Sequence, residues 1–201
     1  MTDDPVAGDP VTGDPVTGDP VTGDPVTGDP ATDDAGPDAG LPGQALAREV
    51  VSLLTGRTET IAVAESLTGG LVTAALTSVP GSSAVFLGGI VAYATSLKAR
   101  LLGVPEDLLA EHGPVYPDVA EAMARGVGEL LGATYGLATT GVAGPGPADG
   151  QPAGTVFVAA WGPGLQAVRE LQVSGGRSAV RAASVVSVLS LLNSTLREDI
   201  S

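Results

Sequence analysis

From residue 44 onward, apolar positions alternate between two rhythms. Gln44–Leu54 places apolar side chains at 46, 50, 53 and 54, a helical spacing. Thr60–Glu65 is a short apolar run that predicts a buried strand. Thr68–Thr77 predicts a helix opening on Gly69-Gly70. Val85–Tyr93 is apolar and β-branched, and so predicts a strand. Ser96–Leu102 and Glu106–Glu111 predict short helices, and Pro117–Leu131 a longer amphipathic one. Tyr135–Thr140 predicts a strand followed by the loop Gly141–Ala153. Thr155–Trp161 and Ala167–Val173 predict two more strands, joined through Gly162-Pro163-Gly164. Ser178–Leu196 predicts the closing helix. Five strands interleaved with helices imply an α/β fold: a three-layer α/β/α sandwich around a mixed, mostly parallel five-stranded sheet. The short link between the last two strands makes them antiparallel neighbours.

Residues 1–43 follow neither rhythm. The pentad Gly-Asp-Pro-Val-Thr repeats through 8–30, so Pro recurs every fifth residue. Helices and paired strands do not survive that density of breakers. One Val per pentad cannot offset ordering entropy. The expectation is an acidic, disordered repeat tail and linker over 1–43 and a single folded domain over 44–201.

Charge changes the picture only after this division. The chain carries a net charge of -14, but residues 1–40 hold ten Asp and no basic residue. The remainder has 13 acidic and 9 basic residues, a net of -4. A nucleic-acid partner is disfavoured, because phosphate binding normally needs a basic patch. No uninterrupted apolar run reaches membrane-spanning length, and the N-terminus does not read as a signal peptide, so no membrane partner and a cytoplasmic location are expected. The chain has no Cys and one His, His112. Thiolate chemistry and a multi-His metal site are therefore excluded. His112 reads as a helix C-terminal residue. Eight Arg stand against one Lys, Lys98. That bias makes the lysine informative, since only an amine can shed its proton.

In open α/β sheets, ligands gather where strand ends pass into loops. Four stretches qualify: Glu65–Gly70, Val79–Ser83, Tyr93–Lys98 and Gly141–Gly146. In the first, free N–H groups at a helix start favour an anion, although Ser66 or Thr68 serves equally as an N-cap. Glu65 either accepts from backbone N–H groups or holds a ligand hydroxyl. Pro80-Gly81-Ser82-Ser83 presents two hydroxyls or forms an ordinary turn. Lys98, beside a serine and partly buried, is a candidate general base; the alternative is a solvated surface lysine. Tyr93 orients the amine or simply ends a strand. Thr140-Gly141-Val142-Ala143-Gly144-Pro145-Gly146 offers backbone donors to a phosphate or ribose, without Walker A spacing. Arg177 and Arg181 share a helix face and either pair with a phosphate or remain solvated.

Together, AESLTGG at 64–70, VPGSSA at 79–84, Gly89–Tyr93 with Lys98 and Leu101–Val104, His112-Gly113 with Val115, TGVAGPG at 140–146, and Gly154-Thr155-Val156 resemble the CinA C-terminal domain family, whose stand-alone form is nicotinamide-nucleotide amidohydrolase. The resemblance covers about 44–198. It implies hydrolysis of the carboxamide of nicotinamide mononucleotide to nicotinate mononucleotide and ammonia, without metal or other cofactor, by a Ser/Lys mechanism. Lys98 is then the base and Ser83 the first choice of nucleophile. Ser66 is a second catalytic or positioning serine, with Tyr93 lining the pocket. Glu65, Thr68, Gly69, Gly70, Ser82, Thr140, Gly141, Ala143 and Gly144 are expected to hold the nucleotide, with Arg177 near its phosphate. Self-association into a homo-oligomer is also implied. A silent nucleotide-binding or regulatory module of the same family is the alternative. The chain departs from the family pattern at Leu67 (usually Cys), Tyr116 (usually Ser) and Gly176 (usually Asp), and residues 147–152 (PADGQP) differ from the commonest form of this loop. Asp118 is a candidate substitute for the missing cap at 116.

Overall fold

The computed structural model describes residues 40–198. The repeat-tail expectation therefore lies almost wholly outside the described residues. The elements are α1 (Gln44–Arg57), β1 (Ile61–Glu65), α2 (Leu71–Thr77), a 3₁₀ turn (Ser82–Ala84), β2 (Phe86–Val91), α3 (Thr95–Leu102), α4 (Glu106–His112), α5 (Pro117–Leu131), β3 (Tyr135–Gly141), β4 (Thr155–Gly162), β5 (Leu165–Gln172) and α6 (Arg177–Glu198). Most boundaries move by one to three residues from the apolar pattern. The largest changes are at α1, which ends three residues later, and at α2, which starts three residues late. Gly69 and Gly70 have φ of 58° and 98°, values incompatible with a right-handed helix, so Thr68–Gly70 forms a turn instead.

The sheet order is β2-β1-β3-β4-β5. β1 pairs in parallel with β2 and with β3, while β4 is antiparallel to both β3 and β5. Four strands thus share one direction and β4 alone opposes it, as the mixed, mostly parallel expectation requires. β4 and β5 form a hairpin whose register closes at Gly162 opposite Leu165, leaving Pro163-Gly164 as a two-residue turn.

Strand parity sorts the two cores. Ile61 and Val63 of β1, Leu137 of β3 and Val156 and Val158 of β4 face α1, α2 and α6. Ala62, Ala64, Ala138 and Ala159 face α5 and the end of α3, where Leu102, Val119, Met123 and Val127 are buried. The second face is lined by small side chains, so α5 lies close to the sheet. A Cβ on Gly136 would meet the Ala124 carbonyl, and one on Gly128 would press on the Trp161 ring. α6 spans 22 residues and includes an 18-residue stretch of mean hydropathy 1.4. By length and composition that matches a membrane-spanning helix. Here it is a core helix: Val180, Val185, Val188, Leu189 and Leu192 are buried in the first core.

One direction for four strands collects their C-terminal ends on one edge of the sheet. That edge gathers the segments after β1, β2, β3 and β5, together with the loop entering β4.

Close packing at Gly136 predicts that Gly136→Ala destabilises the domain by about 2–4 kcal/mol, because backbone rather than a flexible side chain must yield. Gly56 sits in α1 with nothing within 4 Å of an added Cβ. Gly56→Ala should stabilise by about 0.5–1 kcal/mol. Urea unfolding of the two variants beside the wild type reads both signs.

Candidate active site

The strand-end edge carries an open cleft of about 250 Å³. Its walls come from Ser66 and Leu67 after β1, from Tyr93, Thr95 and Lys98 after β2, and from Thr140–Asp149 at the end of β3 and beyond it. Pro114 and Val115 before α5, and Arg177 opening α6, complete it.

The parity of β1 places its last residues. Glu65 shares the face of Ile61 and Val63, toward α2. Ser66 follows on the face of Ala62 and Ala64, toward α3. Glu65 is fully buried. One carboxylate oxygen accepts from the N–H groups of Gly70 (2.9 Å) and Val72 (3.2 Å), the other from Thr73 (2.8 Å). The helix N-terminus expected to attract a ligand anion is thus already satisfied by the chain's own carboxylate, which also supplies the negative end that the helix dipole favours.

Lys98 is 1% exposed. α3 turns it back over the end of β2, where Nζ donates to the Ala92 carbonyl at 2.8 Å and to Ser66 Oγ at 3.0 Å. Ala92 is itself held against β1, its N–H donating to the Glu65 carbonyl at 2.9 Å. No carboxylate forms an ion pair with the amine among the described residues. Burial therefore dominates and lowers the lysine pKa from 10.5 to about 8; the negative charge of Asp149 opposes the shift. Near neutral pH a usable fraction of the amine is neutral and can accept the Ser66 proton along the existing 3.0 Å contact.

Backbone donors adjoin this pair. Leu67, Ala143 and Gly144 line the cleft, and their backbone N–H groups make no hydrogen bond to another described residue. On the far side Arg177 is exposed, donating to the Tyr93 hydroxyl at 3.0 Å and to the Gly144 carbonyl at 3.4 Å. Its guanidinium is thus positioned by neutral groups, with no carboxylate partner among the described residues.

The structure brings Ser66, Lys98, Tyr93, Thr140, Gly141, Ala143, Gly144 and Arg177 together. It does not bring in Ser83. That serine is exposed in the 3₁₀ turn preceding β2, whereas Lys98 follows the other end of the strand. Six extended residues separate the two ends by roughly 17 Å, so the nucleophile expectation at Ser83 is corrected. Ser82 is buried in the same turn, also outside the cleft. Thr68 lies beneath the cleft floor, its hydroxyl 2.8 Å from that of Thr139. Gly69 and Gly70 shape the turn into α2, and the Gly70 N–H is taken by Glu65. Thr140 Oγ1 donates to the Pro114 carbonyl at 2.7 Å, holding two walls together. Arg181 turns away from Arg177 and donates to the Thr68 carbonyl at 2.6 Å. His112 stacks on Tyr116, ring centroids 4.1 Å apart, away from the dyad. Asp118 gives the first turn of α5 a negative charge, but no side chain caps that helix at Tyr116.

Asp149, Thr95, Pro114 and Val115 line the cleft although no individual site role was assigned to them from sequence. Asp149-Gly150 carries a turn signal, but only the fold folds that turn over the pocket.

Residues 43–196 match the CinA C-terminal domain. The chain belongs to the CinA C-terminal domain family. A CinA-like protein of Frankia casuarinae is 51% identical over 161 residues, 79% of this chain and 37% of that protein. One of Myxococcus xanthus is 45% identical over 161 residues, 78% of this chain and 38% of the relative. The chain thus spans less than two fifths of the curated relatives it matches. Among solved structures, the competence/damage inducible protein CihA of Agrobacterium tumefaciens superposes with a TM-score of 0.73 at 34% identity, covering 77% of this chain and 94% of that one. A CinA superfamily protein of Klebsiella pneumoniae gives 0.74 at 32% identity, covering 77% and 98%.

Burying the amine links pH to stability. Lys98 has a lower pKa folded than unfolded. Between about 8 and 10.5 the unfolded state holds the extra proton, so the folded state gains as pH rises. Relative to Lys98→Met, the wild type should gain about 1.4 kcal/mol per pH unit across that window and nothing below it. Urea titrations at pH 7, 8.5 and 10 measure the difference; a flat difference refutes the buried amine.

Proposed function

We propose that this CinA domain is a nicotinamide-nucleotide amidohydrolase, converting nicotinamide mononucleotide and water to nicotinate mononucleotide and ammonia. The observation that carries the reading is the 3.0 Å contact between a buried lysine amine and a serine hydroxyl at the floor of an open cleft. Neutral Lys98 takes the Ser66 proton as Oγ attacks the carboxamide carbon. Negative charge develops on the carboxamide oxygen and is met by cleft amides, with Leu67, adjacent to the nucleophile, the natural first donor. The Lys98 ammonium returns its proton to the leaving nitrogen, and the C–N bond breaks to give ammonia and an ester on Ser66. Water then attacks the ester with Lys98 again the base, releasing the carboxylate. The free guanidinium of Arg177 receives the substrate phosphate, and Tyr93 holds that arginine in place.

The departures from the family pattern lie outside the dyad. Leu67 is buried in the first core, Tyr116 stacks on His112, and Gly176 precedes Arg177 as an exposed residue.

Purified full-length chain incubated with nicotinamide mononucleotide should release ammonia. Ser66→Ala and Lys98→Ala should each lower kcat by at least about 10³-fold, while Ser83→Ala leaves it within about twofold. Nucleotide binding without ammonia would instead support a silent nucleotide-binding module. The free-enzyme profile of kcat/KM should rise with pH and level off above about 8, since the reactive form is the deprotonated amine.

A further inference from the structure

The cleft contains three charged side chains: Lys98, Arg177 and Asp149. The first two already have uses. Asp149 does not. It stands at the tip of a tight turn in which Ala148 and Gln151 exchange backbone hydrogen bonds of 3.1 and 2.9 Å. Asp149 and Gly150 both have positive φ, 50° and 73°. That geometry explains a residue tolerant of the left-handed region, which Asn satisfies as well as Asp. It does not explain the charge. No described side chain bonds or pairs with the Asp149 carboxylate. The turn packs beside Gly113 and leaves the carboxylate as the only acid on the cleft wall, within electrostatic range of Lys98 Nζ.

A cleft with an unpaired guanidinium at one side and an unpaired carboxylate at another suits a ligand with both signs of charge. An oxidised pyridine mononucleotide is such a ligand. Its phosphate is anionic, and its ring nitrogen, bonded to ribose, makes the ring a cation. With the carboxamide at Ser66 and Lys98, the ring lies within the field of Asp149. Reduction removes the ring charge and leaves phosphate, ribose and carboxamide in place.

We infer that Asp149 is a specificity-determining residue that recognises the positive ring of an oxidised pyridine nucleotide and so discriminates against the neutral, reduced form. The inference rests on the pyridine-nucleotide reading of the cleft. It also gives the substrate a part in its own activation. A cationic ring in the cleft counters the Asp149 charge that otherwise favours the Lys98 ammonium, and so favours the free amine.

The test is calorimetric binding of nicotinamide mononucleotide and its 1,4-dihydro form to full-length Ser66→Ala, which does not turn over, with and without Asp149→Asn. Asn retains the turn and removes only the charge. The expected result is that Ser66→Ala binds the oxidised form about fivefold more tightly than the reduced one. Asp149→Asn should erase that preference while leaving affinity for the reduced form within about twofold. Equal weakening of both forms would show a ribose-hydroxyl or packing role and overturn the inference. So would an unchanged preference. Charge selectivity in a wild type that releases no ammonia would sink the amidohydrolase reading alone. Ammonia release without charge selectivity would sink this inference alone.

Discussion

The structure depends on one costly placement: a lysine amine removed from water at the junction of two parallel strands and given neutral partners. A charged amine there would demand a carboxylate to offset desolvation. This site supplies a carbonyl and a hydroxyl, which suit the neutral form equally well. The amine is therefore poised between protonation states rather than locked in one. That property distinguishes a proton acceptor from a structural ion pair. The parallel pairing of β1 and β2, the turn into α3 and the Ala92 tie to β1 all serve to hold that amine against Ser66.

Two polar neighbours in sequence, Glu65 and Ser66, have opposite fates because a strand alternates. Glu65 goes to the α2 face and neutralises a helix N-terminus. Ser66 goes to the α3 face and meets the amine. A one-residue slip of β1 would exchange them, putting a carboxylate against Lys98 and raising its proton affinity. The register of β1 with β2 and β3 thus decides which side chain meets the amine. Small residues on the α5 face allow the tight helix–sheet contact that supports it.

Around the dyad, the CinA scaffold separates rigid from open groups. Glu65, Thr68, Arg181 and Thr140 make hydrogen bonds within the protein and fix the loops. Arg177, Asp149 and the glycine loop, whose Ala143 and Gly144 amides take no partner among the described residues, line the cleft. Residues of the same chemical type, Arg177 and Arg181, one turn apart on α6, divide between these duties. One donates to a backbone carbonyl under the cleft and the other reaches its rim.

The apolar rhythm of the chain by itself determined the layers, the strand count, the hairpin and the order of helices, because burial on one face or both is written in local periodicity. Motif composition likewise singled out Lys98, the glycine loop and the strand ends. Which serine meets the lysine was not local information. Ser66 follows β1 and precedes the Gly69-Gly70 turn, whereas Ser83 follows the Pro80-Gly81 turn and precedes β2, and only the parallel pairing of β1 and β2 puts one at the cleft edge and the other at the far end. Nor could sequence tell that the α2 amides were already occupied by Glu65, or that Asp149 would overhang a cleft built largely by residues distant in the chain. Those facts belong to the tertiary structure, since they depend on strand direction and register, which bring together groups that no sequence spacing relates.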